Sequence, residues 1–294
     1  MKKILVTGGT GFLGKNIAES YLTDLYELHV PPRTELDCSD DTSVSNYFSK
    51  QSFDVIIHSA AKPGHRNAAD TASLLLTNSR MIFNLLKYND RWEKFLNMGS
   101  GAIYDMRHYQ PKMKESYFGT FIPADEHGYN KYIFGKYLPS QEGVYDFRIF
   151  GIFGKYEDYA IRFISNAICK AIFDLPITLR QNRKFDYLYV DDLMPILEHF
   201  IENSPADRSF NITPDNSIEL LDLANIVKSV SGKPISIEVK EDGLAAEYSG
   251  DNTLLHSTIK SLRFTPIAAA IEKLYTWYLL NINRLDKNLL LTDK

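Results

Sequence analysis

The sequence contains only two cysteines, Cys38 and Cys169, among its 294 residues. Two cysteines without the spacing of metal ligands cannot build a disulfide framework, which fits a reducing compartment. Long apolar runs are also missing, since no segment reaches the roughly eighteen apolar residues of a membrane-spanning helix. The apolar N-terminal run ends at Thr7, too early for a secretory signal peptide. We therefore expect a cytoplasmic protein that does not cross a membrane.

An excess of basic charge is absent as well. The formal net charge is -4 at pH 7, the pI is near 6.0, and the basic residues are scattered singly. Because a nucleic-acid-binding protein usually carries a basic patch, no nucleic-acid partner is expected. The length and the hydrophobic share of 44% suit a globular protein with one large core or two domains. An enzyme acting on a small molecule is the favoured class.

Short apolar segments alternate with longer amphipathic segments along the first half of the chain. Strands are predicted at 4–6, 28–30, 55–57, 95–98 and 147–149, and helices between them at 12–22, 41–51, 75–88 and 130–138. The alternation predicts an α/β fold, a doubly wound parallel sheet (Rossmann) with a smaller C-terminal substrate-binding domain. We expect the sheet domain at 1–155, with 185–212 returning to it, and the second domain mainly at 156–294.

A glycine-rich loop, TGGTGFLG at 7–14, follows the first predicted strand and begins the first predicted helix. In this context Gly8 permits a tight turn, Gly11 lets the backbone approach a pyrophosphate, and Gly14 allows close packing of helix and sheet. The helix N-terminus offers N–H groups and a positive dipole end to the phosphates. The loop therefore predicts a nicotinamide dinucleotide as the cofactor. Its other predicted contacts are Thr10, Phe12 and Leu13.

The choice between NADP and NAD is expected at the end of the second strand. A basic residue there favours the 2′-phosphate of NADP, and an acidic one favours the ribose of NAD. Arg33 follows two prolines in this region, and its planar guanidinium suits a phosphate. Glu35 keeps NAD(H) possible, and a solvated loop role is the alternative for Arg33. We favour NADP(H).

Ser100 lies between two glycines in the run GSGAIYD at 99–105, directly after the strand predicted at 95–98. Hydride transfer at a sugar carbon requires a group that exchanges a proton with the substrate oxygen. Tyr132 and Lys136 are one helical turn apart, and a lysine ammonium lowers the pKa of a nearby phenol by favouring the phenolate. Ser100, Tyr132 and Lys136 are therefore the predicted catalytic residues, with the tyrosine–lysine pair also next to the cofactor.

Several motifs occur in one characteristic order. They are the glycine loop, DVIIHSAA at 54–61, the serine loop, the tyrosine–lysine pair, RIFGIFG at 148–154 and YLYVDDL at 187–193. In these motifs the chain resembles the extended short-chain dehydrogenase/reductases of the NAD-dependent epimerase/dehydratase family, which act on nucleotide sugars. The resemblance implies a homodimer and no metal. It also implies further cofactor contacts at Asp37, Cys38, Ala60, Ala61, Lys62, Asn78 and Phe150.

The residues after Ser100 limit the reaction that the resemblance implies. Family members that dehydrate sugars carry an acid pair where this chain has Gly101 and Ala102, and the similar GDP-fucose synthases have a cysteine in place of Ala102. The resemblance therefore favours NADPH-dependent reduction of the C4 keto group of a nucleotide-linked 4-keto-6-deoxy sugar. A nucleotide-sugar 4-epimerase with bound NAD is one alternative. A non-catalytic NAD(P)-binding regulatory protein is another.

Substrate contacts are predicted around the same edge of the sheet. The family often binds diphosphate with an arginine where this chain has Phe185, so Arg183, Arg162 or Arg180 is expected to take that role, with a plain surface position as the alternative. His65, a few residues after the third strand, is a candidate contact to the sugar. Tyr104, in the serine loop, is a further candidate.

Overall fold

The computed structural model describes residues 1–64 and 72–291. Its β-strands are β1 (Lys3–Thr7), β2 (Glu27–His29), β3 (Phe53–His58), β4 (Trp92–Met98), β5 (Val144–Ile149), β6 (Gly151–Phe153), β7 (Ile177–Asn182), β8 (Lys184–Phe185), β9 (Tyr187–Tyr189), β10 (Ser209–Ile212), β11 (Ile218–Glu219) and β12 (Ile237–Leu244). Its α-helices are α1 (Phe12–Ala18), α2 (Leu22–Leu25), α3 (Asp41–Phe48), α4 (Leu74–Leu86), α5 (Glu126–Tyr137), α6 (Phe163–Ile172), α7 (Leu193–Glu202), α8 (Leu220–Ser231), α9 (Thr253–Thr258) and α10 (Ile267–Leu280).

Six parallel strands form the central sheet in the order β10-β5-β4-β3-β1-β2. The chain passes from β1 to β2 on one side and then to β3 on the other side, so the strand order reverses at β1. In open sheets of this kind, ligands bind in the crevice outside the carboxyl ends of the strands at the reversal. The expected α/β doubly wound parallel sheet is confirmed, and the glycine loop lies at its reversal point.

The central strands are buried on both faces, which explains their nearly unbroken apolar sequences. In β1, Ile4 and Val6 belong to the larger apolar cluster, whereas Leu5 belongs to a second cluster. Successive side chains of a strand point to opposite faces, so the two clusters cover the two faces of the sheet. Strand β3 divides its side chains between the same two clusters.

The residues after 155 add helices to one side of the sheet and also return to it. Helices α6, α8 and α10 pack against one another, and β7 pairs with β12 in parallel. Strand β10 pairs with β5 at the edge of the central sheet. The larger apolar cluster includes residues from Ile4 to Leu290, so one core spans the predicted domain boundary, and the division at 155 stays a prediction. Within the described ranges, every helix is too short or too polar to cross a bilayer.

Helix α5 begins at Glu126, four residues before its predicted start at 130. Its N-cap is Asp125, whose carboxylate accepts the N–H of Gly128 at 2.8 Å, a contact that stabilises the first turn. This turn lies on the serine loop, because a Cβ added to Gly128 would be 2.8 Å from the carbonyl oxygen of Ala102. The earlier start brings His127 into the helix.

Candidate active site

A cavity of about 1220 Å³ opens at the carboxyl end of the central sheet. Its walls come from the start of α1, the serine loop after β4, the first turns of α5, the segment after β5, helix α6 and strand β7. Sites for a single small ligand usually measure about 300–1,000 Å³. The cavity therefore has room for a cofactor and a second ligand.

The glycine loop approaches the segment after β3 so closely that side chains are excluded. Gly8 has a φ of +73°, and a Cβ there would be 2.7 Å from the Cα of Ala60. A Cβ on Gly14 would be 2.3 Å from the carbonyl oxygen of Gly8. Thr10 and Gly11 are exposed above this packing. The loop thus has the compact, open-topped form that suits a dinucleotide pyrophosphate.

Two other predicted loop residues, Phe12 and Leu13, line the cavity. On the opposite side of the crevice, Ala61 is exposed. Asn78 on α4 is buried and holds the backbone of Lys62, since its Oδ1 accepts the Lys62 N–H at 2.7 Å and its Nδ2 donates to the Lys62 carbonyl at 3.2 Å. Asn78 therefore positions the segment after β3.

The residues predicted around the adenosine part of the cofactor separate into two kinds. Arg33 is 75% exposed, and its Nε donates to Asp37 at 2.9 Å. Burial raises the pKa of Asp37, but the hydrogen bonds from Ser39 and the charge of Arg33 lower it by a larger amount. The pKa therefore lies below its usual range. The predicted cofactor contact of Cys38 does not involve its side chain, which is buried in the second apolar cluster. Burial raises the pKa of its thiol to about 12. Its thiol packs in the core.

Ser100 lines the cavity next to a second hydroxyl that the sequence did not indicate. Tyr248, after β12, also lines the cavity, and its hydroxyl lies against Gly101, the residue after Ser100. Burial raises the pKa of Tyr248, and the neighbouring Tyr109 and Ser100 hydroxyls oppose this only in part, so the phenol stays protonated at neutral pH. A Cβ on Gly101 would be 2.6 Å from the Tyr248 hydroxyl, which explains the glycine after Ser100.

The helix α5 presents His127 and Lys131 to the cavity. They are four residues apart and lie on one face of the helix. Lys131 extends towards the sheet, where it interacts electrostatically with Asp146 of β5 and His58 at the end of β3. Burial lowers the pKa of Lys131, and the Asp146 carboxylate opposes this shift. A cation-forming amine and an imidazole thus share a wall with Ser100.

The predicted pair, Tyr132 and Lys136, is not among the residues that line this cavity. The Tyr132 ring packs on Phe118, with ring centroids 5.1 Å apart, and belongs to a small apolar cluster behind the serine loop. Lys136 is exposed, with its Nζ 5.1 Å from the centroid of the Phe118 ring. Each residue of an α-helix is rotated by about 100° from the one before. Tyr132 therefore cannot share the face of His127 and Lys131.

A local signal could have identified the pair that lines the cavity, His127 and Lys131. Asp125 is of a type preferred at the N-cap, and Glu126 suits the first turn of a helix. The two residues therefore indicate a helix start at 126. That start places His127 and Lys131 one turn apart within the same helix. Tyr132 and Lys136, the tyrosine–lysine pair predicted from the sequence, lie on a different face of this helix.

The predicted substrate residues are only partly brought together. Arg162 and Arg183 line the cavity, as does Phe150. Tyr104 is a correction, because it is 2% exposed and its hydroxyl donates to Asn211 at 2.8 Å and accepts from Arg148 at 2.9 Å. These bonds tie Tyr104 to the interior. His65 lies outside the described residues.

Glu157 is a buried carboxyl on the cavity wall that the sequence analysis missed. Burial raises its pKa to about 8, while the Ser165 hydroxyl, which donates to it at 2.6 Å, and the charge of Arg162 act in the opposite direction. At neutral pH the folded protein therefore holds Glu157 largely protonated. No group of three or more possible metal-ligating side chains occurs among the residues at 1–64 and 72–291.

We expect Glu157→Gln to flatten the pH dependence of stability. The folded pKa lies above the unfolded value, so the stabilising contribution is complete below the unfolded pKa and is lost as pH rises towards 8. Urea unfolding at about pH 5 and about pH 8.5 should show a loss on the order of a few kcal/mol in the wild type. The variant should lose much less. An equal loss in both proteins would contradict the assignment.

The model of the NAD dependent epimerase/dehydratase family matches residues 4–213, well over half of the chain. The GDP-L-fucose synthase of Azorhizobium caulinodans is 32% identical over 107 residues, which cover 35% of this chain and 34% of that protein. The chain is thus aligned with about a third of this curated relative.

Solved structures share the fold over nearly the full chain. A GDP-L-fucose synthetase from Naegleria fowleri gives a TM-score of 0.82 at 17% identity, covering 97% of this chain and 95% of that chain. MlghC, a GDP-mannoheptose C4 reductase from Campylobacter jejuni with NADP bound, gives 0.80 at 18% identity, covering 95% and 98%. With the family match, the chain belongs to the NAD dependent epimerase/dehydratase family.

Proposed function

We propose that the chain is an NADPH-dependent reductase of the C4 keto group of a nucleotide-linked 4-keto-6-deoxy sugar. The observation that carries the proposal is the shared cavity, in which Ser100 and the His127–Lys131 pair lie beside the start of α1. A similar solved protein, MlghC, is described as a C4 reductase and holds NADP. The small Gly101 and Ala102 provide no acid for dehydration, which supports simple reduction.

The residues of the glycine loop suit the pyrophosphate of the cofactor, and Ala61 and the Asn78-held segment suit its nicotinamide half. When bound, the dinucleotide supplies a hydride. Ser100 donates a hydrogen bond to the substrate carbonyl oxygen and so favours charge development on it. Lys131, on the same wall of the cavity, would hold the nicotinamide ribose hydroxyls and would favour negative charge on the substrate oxygen. The Ser100 hydroxyl is held in the loop by the Ala102 N–H, which donates to its Oγ at 3.1 Å.

The far end of the cavity suits the nucleotide part of the substrate. Arg162 and Arg183 can pair with a diphosphate, because a guanidinium forms bidentate hydrogen bonds with phosphate oxygens. Phe185 and Tyr187 provide aromatic surface nearby, and their ring centroids are 5.5 Å apart. This division places the reacting sugar near Ser100 and the nucleotide near β7.

Arg33→Ala should weaken NADPH binding about tenfold or more and leave NADH binding unchanged, because only the 2′-phosphate needs the guanidinium. Arg33 is exposed and now pairs with Asp37, so it is available to rotate onto a phosphate. Fluorescence titration with each dinucleotide measures both affinities. Arg91→Ala, which removes another exposed arginine paired with an aspartate, is the matched control. Equal effects on NADPH and NADH would refute the NADP preference.

The proposed reaction is tested by following NADPH absorbance with GDP-, CDP-, dTDP- and UDP-linked 4-keto-6-deoxyhexoses. We expect one of these sugars to be reduced with one NADPH consumed for each product molecule. Product formation without net cofactor consumption would indicate the 4-epimerase that uses bound NAD. Binding of NADPH without any turnover would indicate the non-catalytic regulatory protein.

We also infer a homodimer in the cytoplasm. Helices α4 and α5 pack side by side and expose three large side chains, Leu76 (52% exposed), Tyr129 (41%) and Tyr137 (41%). An exposed apolar surface of this kind is typical of an interface between protein chains. Sedimentation velocity should give a dimer for the wild type and a larger monomer fraction for Tyr137→Glu.

A further inference from the structure

We infer that His127 is the proton donor of the proposed reduction, in place of the tyrosine that the resembling family uses. The inference rests on the proposed function. It is carried by the position of the imidazole on the cavity wall, one helical turn from Lys131 and on the same wall as Ser100.

The local geometry places the imidazole between two parts of the site. A Cβ added to Gly64, after β3, would be 3.5 Å from Nδ1 of His127, so the ring borders the segment expected to hold the nicotinamide. On the other side, the first turn of α5 rests on Ala102 of the serine loop, through Gly128. The imidazole thus lies between the cofactor side of the crevice and the loop that carries Ser100.

The other hydroxyl and carboxyl groups on the cavity wall are weaker candidates. Burial raises the pKa of Tyr248, which disfavours the phenolate that proton donation would leave. Tyr187 is also a poor donor, because burial raises its pKa too. Glu157 hydrogen-bonds with Ser165 on α6, away from the α5 wall. Tyr132 faces Phe118 outside the cavity.

The proton and electron balance of the step is complete. The ketone carbon gains a hydride from the dinucleotide, the carbonyl π bond breaks, and its oxygen takes a proton from a ring nitrogen of His127. The ketone is reduced to an alcohol and the dinucleotide is oxidised. The imidazolium becomes imidazole and recovers its proton from water. Reduction therefore requires the protonated ring.

The surrounding charges set the direction of the pH dependence. On its own helix His127 has Lys131 and Glu126, and the Glu126 carboxylate accepts the N–H of Leu75 at 3.1 Å. The segment after β3 contributes Lys62, and the serine loop contributes Asp105, which pairs with Arg107. Across the cavity are Arg162 and Glu157. The imidazolium is the form that donates the proton, so kcat/KM for reduction is expected to fall as the ring loses its proton.

The experiment compares His127→Gln and His127→Tyr with the wild type, using the nucleotide sugar that the wild type reduces. His127→Gln should lower kcat about 10²-fold or more, the usual contribution of a positioned general acid. The Kd for NADPH, measured by fluorescence, should stay within about threefold because the imidazole is not needed for cofactor affinity. His127→Tyr should retain measurable reduction. Tyr132→Phe is the control and should keep the wild-type kcat.

The pH profile and the NMR titration provide readouts that a structural role would not move. In the wild type, kcat/KM for reduction should fall as pH rises through the imidazole pKa, whereas His127→Tyr should stay active to higher pH. The imidazole NMR signal that is missing from His127→Gln should titrate with the same pKa and shift when NADPH is added.

The outcomes separate failure of the inference from failure of the function. Normal turnover by His127→Gln, or loss of turnover by Tyr132→Phe or Tyr248→Phe with His127→Gln unaffected, overturns the role of His127 and leaves the reductase standing. If the wild type reduces none of the nucleotide-linked 4-keto sugars, both proposals are overturned.

Discussion

Replacing Lys131 with methionine should lower kcat/KM for the reduction about a hundredfold or more, without lowering the stability of the protein. The Lys131 amine can hold ribose hydroxyls and stabilise negative charge on the reacting oxygen, and methionine has no such group. Burial lowers its pKa, which means that the folded state disfavours the charged form. Methionine, an apolar side chain of similar length, therefore removes the desolvation cost of the amine and also the group that the reaction needs. Initial rates and thermal unfolding measure the two effects.

Lys136→Met is the matched control for this variant. Lys136 lies on the same helix, but it is exposed and rests over the Phe118 ring. Its loss should change kcat/KM less than about twofold, since exposed side chains away from a site contribute little. If Lys136→Met abolished reduction while Lys131→Met remained active, the pair assigned to the cavity would be wrong.

Gly14→Ala should abolish NADPH binding and destabilise the protein by about 3 kcal/mol or more. The added methyl would lie 2.3 Å from the Gly8 carbonyl oxygen and 2.6 Å from the Cα of Gly9, both of them backbone atoms of the loop. No flexible side chain can move aside, so the loop itself must shift, and overpacking of this kind costs about 1–3 kcal/mol even where side chains can adjust. Urea unfolding and NADPH fluorescence measure the stability and the binding.

Gly11→Ala is the comparison within the same loop. Gly11 has an ordinary φ of -83°, and a Cβ there would meet only the Gly8 carbonyl oxygen, at 3.2 Å. Its free energy of unfolding should therefore stay within about 1 kcal/mol of the wild type. Wild-type NADPH affinity in Gly14→Ala would show that the loop does not bind the cofactor as proposed.

The parts of the fold that depend on local patterns were predictable. The apolar run of β1, the glycine loop and the start of α1 at Phe12 are contiguous in sequence, and the structure has them where they were expected. Ser100 and Phe150 come shortly after the ends of strands. The sequence predicted both as site residues, and both line the cavity. Contiguity along the chain was the reliable guide.

The parts that depend on the rotation of a helix or on distant residues were not predictable from motifs. A start of α5 at Glu126 and not at 130 moves His127 into the helix, and a shift of one residue turns a side chain by about 100°. Tyr248 reaches the serine loop from about 150 residues along the chain, where it packs against Phe150, Tyr109 and Phe185. Tyr104 lies within the serine loop, but its partners Asn211 and Arg148 direct it inward.

The most direct test of the central claim follows the hydride itself. The enzyme is supplied with NADPH that carries deuterium at the transferable position of the nicotinamide, together with the 4-keto sugar that it reduces, and the product is examined by NMR and mass spectrometry. We expect one deuterium at C4 of the product sugar and one NADP⁺ formed for each product molecule. A product without deuterium at C4, or one formed without net oxidation of NADPH, would contradict it.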